Sequence, residues 1–155
     1  MDPALEARIH DVYAAYARGD VDALLEAFAP NATLVNPEYA VDGGVRQGRD
    51  ELGAALIALH EQFAYEELEV ERIEEGPAGV AVDIRMVVSG RSSGARLEQR
   101  FSHVLRLRDE LVVELLWFST PAEGRRAARA RSSRFRSCAA RSIRTAPTPP
   151  ETRPA

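Results

Sequence analysis

The sequence predicts an α+β domain in which three helices pack against one side of a curved, mostly antiparallel sheet. Three observations predict it. Apolar residues recur at helical spacing up to Phe63, the period changes to two from Glu66 onward, and the apolar content collapses after Pro121.

A chain of 155 residues fits one domain with a real core. Its hydrophobic content of 45% is ordinary, and no apolar run approaches the roughly 18 residues of a membrane span. The opening Met1-Asp2-Pro3 leads straight into a helical pattern, without the basic and apolar regions of a signal peptide. A cytoplasmic protein with no membrane partner is therefore expected. Cys138 is the only cysteine, which excludes an intrachain disulfide and a cysteine-based metal cluster. Charge divides the chain unevenly: residues 1–121 hold 11 Arg against 22 Asp and Glu, residues 122–155 hold 9 Arg against 2 Glu.

Asp2 and Pro3 can cap and start a helix, and Leu5, Ile9, Val12 and Tyr16 continue it to Arg18, where Gly19 ends it. Asp20 can cap a second, with Val21, Leu24, Leu25 and Phe28 on one face and Pro30 as its stop. Thr33 to Asn36 is a short β-type run; Asp42-Gly43-Gly44 is a turn signal toward a partner at Val45 to Gln47. A third helix follows from Asp50, with Leu52, Ala55, Leu56, Leu59 and Phe63 inward. Strands are then expected at Leu68 to Glu74, Val80 to Val88, Leu97 to Arg108 and Leu111 to Ser119. They form a meander whose concave side meets the helices.

Beyond Pro121 the chain is mostly Arg, Ala, Ser, Thr and Pro. So few apolar side chains cannot offset the entropy of ordering, so the domain is expected to end at 121 and residues 122–155 to form a disordered tail. Only Arg125 to Arg131 has the composition of a short helix. A basic tail invites nucleic acid, but a solvated extension is the expectation.

Gly19-Asp20-Val21-Asp22-Ala23-Leu24-Leu25, followed by Phe28-Ala29-Pro30-Asn31-Ala32-Thr33-Leu34, resembles the opening of SnoaL-like domains in the nuclear transport factor 2-like superfamily. Gly48 to Leu52 is similar to the start of that family's third helix, and Phe101 to Asp109, with Val113, Glu114 and Phe118, to its last two strands. The resemblance covers about residues 5 to 121. It implies a cone of three helices wrapped in a strongly bent sheet around an internal cavity. Ketosteroid isomerases, polyketide cyclases and limonene-epoxide hydrolases share the fold with members that only bind ligands, so the fold alone does not name a function.

Alternation places Leu97, Gln99, Phe101, His103, Leu105 and Leu107 on one strand face, with His103 inside an apolar row. Val80, Val82, Ile84, Met86 and Val88 share the inward face of the preceding strand, leaving Asp83 and Arg85 as surface charges. In the last strand both faces are mostly apolar: Leu111, Val113, Leu115 and Trp117 form one, Val112, Glu114, Leu116 and Phe118 the other. The resemblance favours the second set inward, with Glu114 orienting His103 as a general base requires. Trp117 and Leu115 would then face outward and suit a homodimer. The resemblance also aligns Asn36 with the proton-shuttling aspartate of ketosteroid isomerase, an amide where a carboxylate is needed, and sets Tyr13 or Tyr16 near its oxyanion tyrosine.

The expected catalytic group is therefore His103, Glu114, Asn36 and Tyr16. The expected pocket lining is Tyr13, Val82, Ile84, Met86, Gln99, Phe101, Phe118, Leu56, Leu59 and Phe63. His10 and His60 fall on helix faces and receive no role. Neither metal nor cofactor is expected, since the histidines lack ligand spacing and the glycines lack a phosphate-loop pattern. Two functions remain open. One is a cofactor-independent isomerase or cyclase acting by acid-base catalysis on an apolar carbonyl compound; the other is a non-catalytic ligand-binding or dimerisation domain.

Overall fold

The structure, a computed structural model, describes residues 1–37 and 43–131. Helix α1 (Pro3–Ala17) starts where the Asp2 carboxylate accepts from the Ala4 N–H at 3.0 Å, and Gly19 breaks it at a φ of +73°. Helix α2 (Val21–Glu26) is capped by Asp20, which accepts from the Ala23 N–H. It ends before Phe28, so strand β1 (Phe28–Asn36) is longer than the periodicity suggests. The ring of Pro30 disfavours a helical Ala29. The Ala27 carbonyl accepts from the Val112 N–H at 2.9 Å instead of from a further helical turn.

Strand β2 (Gly44–Gln47) pairs antiparallel with β1, as expected, and of the turn expected at Asp42-Gly43-Gly44 the first residue lies outside the described residues. Helix α3 (Arg49–Gln62) leads without a loop into β3 (Phe63–Gly76), so Phe63 opens a strand rather than closing a helix. Strands β4 (Gly79–Gly90), β5 (Arg96–Arg108) and β6 (Leu111–Phe118) complete a six-stranded sheet of order β2-β1-β6-β5-β4-β3, with β1 parallel to β6. The three helices pack on one face, where Ile9, Tyr13, Leu24, Leu52, Leu56, Val82, Ile84, Phe101 and Leu105 form the main core. This is the α+β architecture the periodicity predicts. Among the described residues no helix is long and apolar enough to cross a membrane.

Register settles the faces. Val82 pairs with His103, Ile84 with Phe101 and Met86 with Gln99, and all six point toward the helices. On β6 the outcome reverses the expectation. Trp117 pairs with His103 and Leu115 with Leu105, on the helix side, whereas Glu114 pairs with Arg106 on the other. An irregularity between Arg106 and Leu107 leaves Val113 as an extra residue, so Val112 and Leu115 both turn inward. With both faces apolar, alternation had nothing to discriminate. The face expected to join two copies, Leu115 and Trp117, is thus part of the interior lining.

The expectation of a tail from residue 122 also fails at its start. Thr120 caps a helix α4 (Pro121–Arg129) that lies on the outer face of β4 and β5. Ala128 is fully buried there among Ala78, Ala81, Val104 and Leu116. A side chain on Gly124 would drive its Cβ into Ser102 Oγ. Small residues thus let the helix dock at a distance that a composition count does not register. Under it, Asp83 is only 3% exposed and ion-paired with Arg125, so it is not the surface charge expected, and Ser102 is fully buried. The rest of the outer face carries a ladder of exposed pairs, Arg85 with Glu67 and Glu98, and Arg100 with Glu71. Expectations about residues 132–155 lie outside the described residues.

Candidate functional site

Between α1, α3 and the inner face of the sheet lies a cavity of about 410 Å³. Its walls are mostly apolar: Ile9, Val12, Leu52, Leu56, Leu59, Met86, Leu105, Val112, Leu115 and Trp117. Volume and lining fall in the range typical of pockets that hold small molecules.

Of the residues singled out from sequence, His103, Asn36, Tyr16, Tyr13, Met86, Gln99, Phe101, Leu56, Leu59 and Phe63 border the cavity. Val82 and Ile84 face the same way but are sealed in the core beside it. Phe118 points to the opposite face, where it packs with Val35 and the α4 cluster. Glu114 is on that face too, its carboxylate 2.8 Å from the Arg106 guanidinium, so it does not orient His103.

Tyr13 takes that place. Its hydroxyl lies 2.7 Å from His103 Nδ1, joining the middle of α1 to the middle of β5. The two rings are near parallel at 24°, with centroids 5.8 Å apart, and the edge of Phe101 closes another side at 5.1 Å. Burial among apolar groups disfavours the charged form of each. It pushes the His103 pKa down to about 3 and holds the Tyr13 phenol far above its usual range. Both are neutral at pH 7.

The pair shares one hydrogen bond, leaving one proton for something else. If Nδ1 donated to the phenol, the Tyr13 hydroxyl proton would sit in a buried place with no other partner among the described residues. If Tyr13 donates to Nδ1, the remaining proton is on Nε2, which has no protein partner among the described residues and is not sealed from the cavity. The second arrangement costs less. It gives an apolar cavity one aimed N–H donor.

Two aromatics had no signal in the sequence: Tyr65, which borders the cavity, and His60, which stacks on it. Tyr65, at the start of β3, meets the Tyr16 hydroxyl at 2.7 Å. His60 stacks on Tyr65 with centroids 4.5 Å apart and sets its ring nitrogens 2.9 Å from the Leu56 carbonyl and 2.7 Å from that of Tyr16. These contacts join α1, α3 and β3, elements whose meeting no local pattern encodes. At the rim, Arg8 forms an exposed ion pair with Glu110 at 3.6 Å. Among the described residues no three His, Cys, Asp or Glu side chains converge as metal ligands would.

An α+β cone with a pocket between its helices and sheet defines a class, and comparison with known proteins narrows it. The family model of the SnoaL-like domain matches residues 9–115, so the chain belongs to that family. Among solved structures, an NTF2-like protein of unknown function from Burkholderia pseudomallei is similar at 23% identity, with a TM-score of 0.67 over 79% of this chain and 95% of its own. A hypothetical protein with a ketosteroid isomerase-like fold from Catenulispora acidiphila, in complex with trimethylamine, aligns at 15% identity and a TM-score of 0.65, covering 77% and 88%. TerC co-crystallised with polyporic acid aligns at 18% identity and 0.66, covering 79% and 95%. No curated protein matches the sequence. At these identities the structural likeness establishes the fold alone.

Proposed function

We propose that this protein holds a small, mostly apolar carbonyl compound in the cavity and binds its oxygen through the Nε2–H of His103. The observation that carries this reading is the Tyr13–His103 bond, two neutral groups that together leave one donor toward apolar walls. A donor in such surroundings has no water to compete for it, so a carbonyl oxygen is a favourable partner. Small molecules bound to two proteins of the same fold support a pocket role.

Trp117, the only tryptophan, borders the cavity and reports occupancy. Titration with 1-tetralone, an apolar ring ketone, is expected to change its fluorescence saturably. His103→Phe should weaken binding about fivefold, the worth of one neutral hydrogen bond. Absence of binding, or equal affinity in the variant, would sink the proposal.

The isomerase or cyclase reading uses the same donor to stabilise an enolate. A histidine whose pKa is near 3 is a weak base, Asn36 cannot take a proton, and Glu114 lies on the other face. Among the described residues the one carboxylate bordering the cavity is Glu110, at the rim and paired with Arg8, so binding with carbonyl polarisation is the better supported function. Turnover of a ring-closing or double-bond-shifting substrate that disappears in His103→Ala would reverse this order.

A further inference from the structure

The cavity has a second polar place. Tyr16 lies three residues beyond Tyr13 on α1, so the two side chains stand on one helix face about 5–6 Å apart at their Cβ atoms. The Tyr16 hydroxyl meets that of Tyr65 at 2.7 Å, and both residues border the cavity. Two hydroxyls hold two protons, and one hydrogen bond between them uses one. When Tyr16 donates to Tyr65, the Tyr65 O–H is the one left to donate, and its described contacts include no other hydrogen bond.

This pair is held from behind. The His60 ring stacks on Tyr65 and presents itself to the edge of Tyr16 at 5.3 Å, while its nitrogens meet backbone carbonyls of α1 and α3. Three aromatic rings and two helix ends fix where the hydroxyls stand. Desolvation holds the Tyr65 phenol above its ordinary pKa, so it remains a neutral donor.

We infer that the Tyr16–Tyr65 pair is a second anchor for the ligand, which makes the ligand class an apolar ring compound carrying two oxygen functions. One oxygen meets His103 and the other meets Tyr65. The inference rests on the binding role proposed above and adds a specificity: a compound with one oxygen leaves the second anchor unpaired. His60 acts as a positioning residue for Tyr65.

Calorimetry with the full chain compares 1-tetralone with its 5-, 6- and 7-hydroxy derivatives, whose second oxygen stands at different distances from the ketone. At least one isomer is expected to bind about fivefold tighter than the parent ketone. In Tyr65→Phe that preference should vanish, the favoured isomer binding no tighter than 1-tetralone does to the same variant. In His103→Phe both affinities should fall and the preference persist. No isomer binding tighter than 1-tetralone to the unmodified protein, or a preference surviving in Tyr65→Phe, overturns the second anchor. The first of these needs no variant to fold. If 1-tetralone binds in a His103-dependent manner without any preference, only this inference fails; if no ketone binds at all, the pocket role fails with it.

Discussion

At the scale of single residues, the cavity depends on keeping a histidine uncharged. The unfolded chain protonates His103 near its ordinary value of about 6.5, whereas the folded chain resists protonation down to about 3. Between these values the unfolded state binds the extra proton, so stability is full above the upper value and declines as pH falls toward the lower. The slope is at most about 1.4 kcal/mol per pH unit. Urea denaturation at pH 7 and pH 5 should therefore show up to about 2 kcal/mol more acid loss in the natural chain than in His103→Leu. Equal losses would mean that His103 is not desolvated. Tyr13→Phe makes a separate point. It strips Nδ1 of its partner and is expected to cost about 1–3 kcal/mol in the same assay at neutral pH. It should also shift the His103 ring-nitrogen resonances, since the tautomer is no longer fixed by the phenol.

Elements show a different kind of control. Helix α4 docks through Gly124 and Ala128, positions where only small side chains allow close approach. In a free helix Gly→Ala gains about 1 kcal/mol. Here the new Cβ would run into both the Cβ and the hydroxyl of Ser102, so the clash outweighs propensity. Gly124→Ala is expected to lower stability by about 1–3 kcal/mol in a thermal melt, and a rise would show that α4 does not sit there. Arg125→Ala tests the charge beneath it. Asp83 is buried with one carboxylate oxygen already lacking a partner, so losing the guanidinium leaves an uncompensated buried charge and a loss of about 3 kcal/mol. The strand alternation that identified the inward faces of β4 and β5 worked because the opposite face of each carries charged residues, Asp83 and Arg85 on β4 and Glu98, Arg100 and Arg106 on β5. It failed on β6, where Leu116 and Phe118 face a second apolar cluster under α4. The two errors are one: without α4, nothing explains why the outer face of β6 is apolar.

For the molecule as a whole, order of elements was legible and long-range meeting was not. Three helical periods followed by alternating strands specify helices on a sheet, and His103 in an apolar row specifies a pocket-facing group. The partner of that histidine was not readable, because Tyr13 and Tyr16 both fit the helix face and only tertiary placement assigns Tyr13 to His103 and Tyr16 to Tyr65. Likewise the domain boundary at 121 misses a helix whose stabilisation comes from docking rather than from its own composition. Truncation after Thr120 should uncover Ala78, Ala81, Val104 and Leu116 together and promote self-association on size-exclusion chromatography. A truncated chain that stays as stable and as dispersed as the full one would restore the shorter domain.

The cavity walls are drawn from both the earliest and the latest parts of this architecture, from Leu5 on α1 to Trp117 on β6. No single element supplies the pocket, whose walls come from α1, α2, α3, β1, β3, β4, β5 and β6. A tenant is therefore coupled to the integrity of the entire fold: at a free concentration one hundred times its dissociation constant it adds about 2.7 kcal/mol to global stability. Heat resistance itself becomes an assay for the ligand, since any compound that raises the melting point of the whole chain identifies itself as a guest of the cone, whatever the protein then does with it.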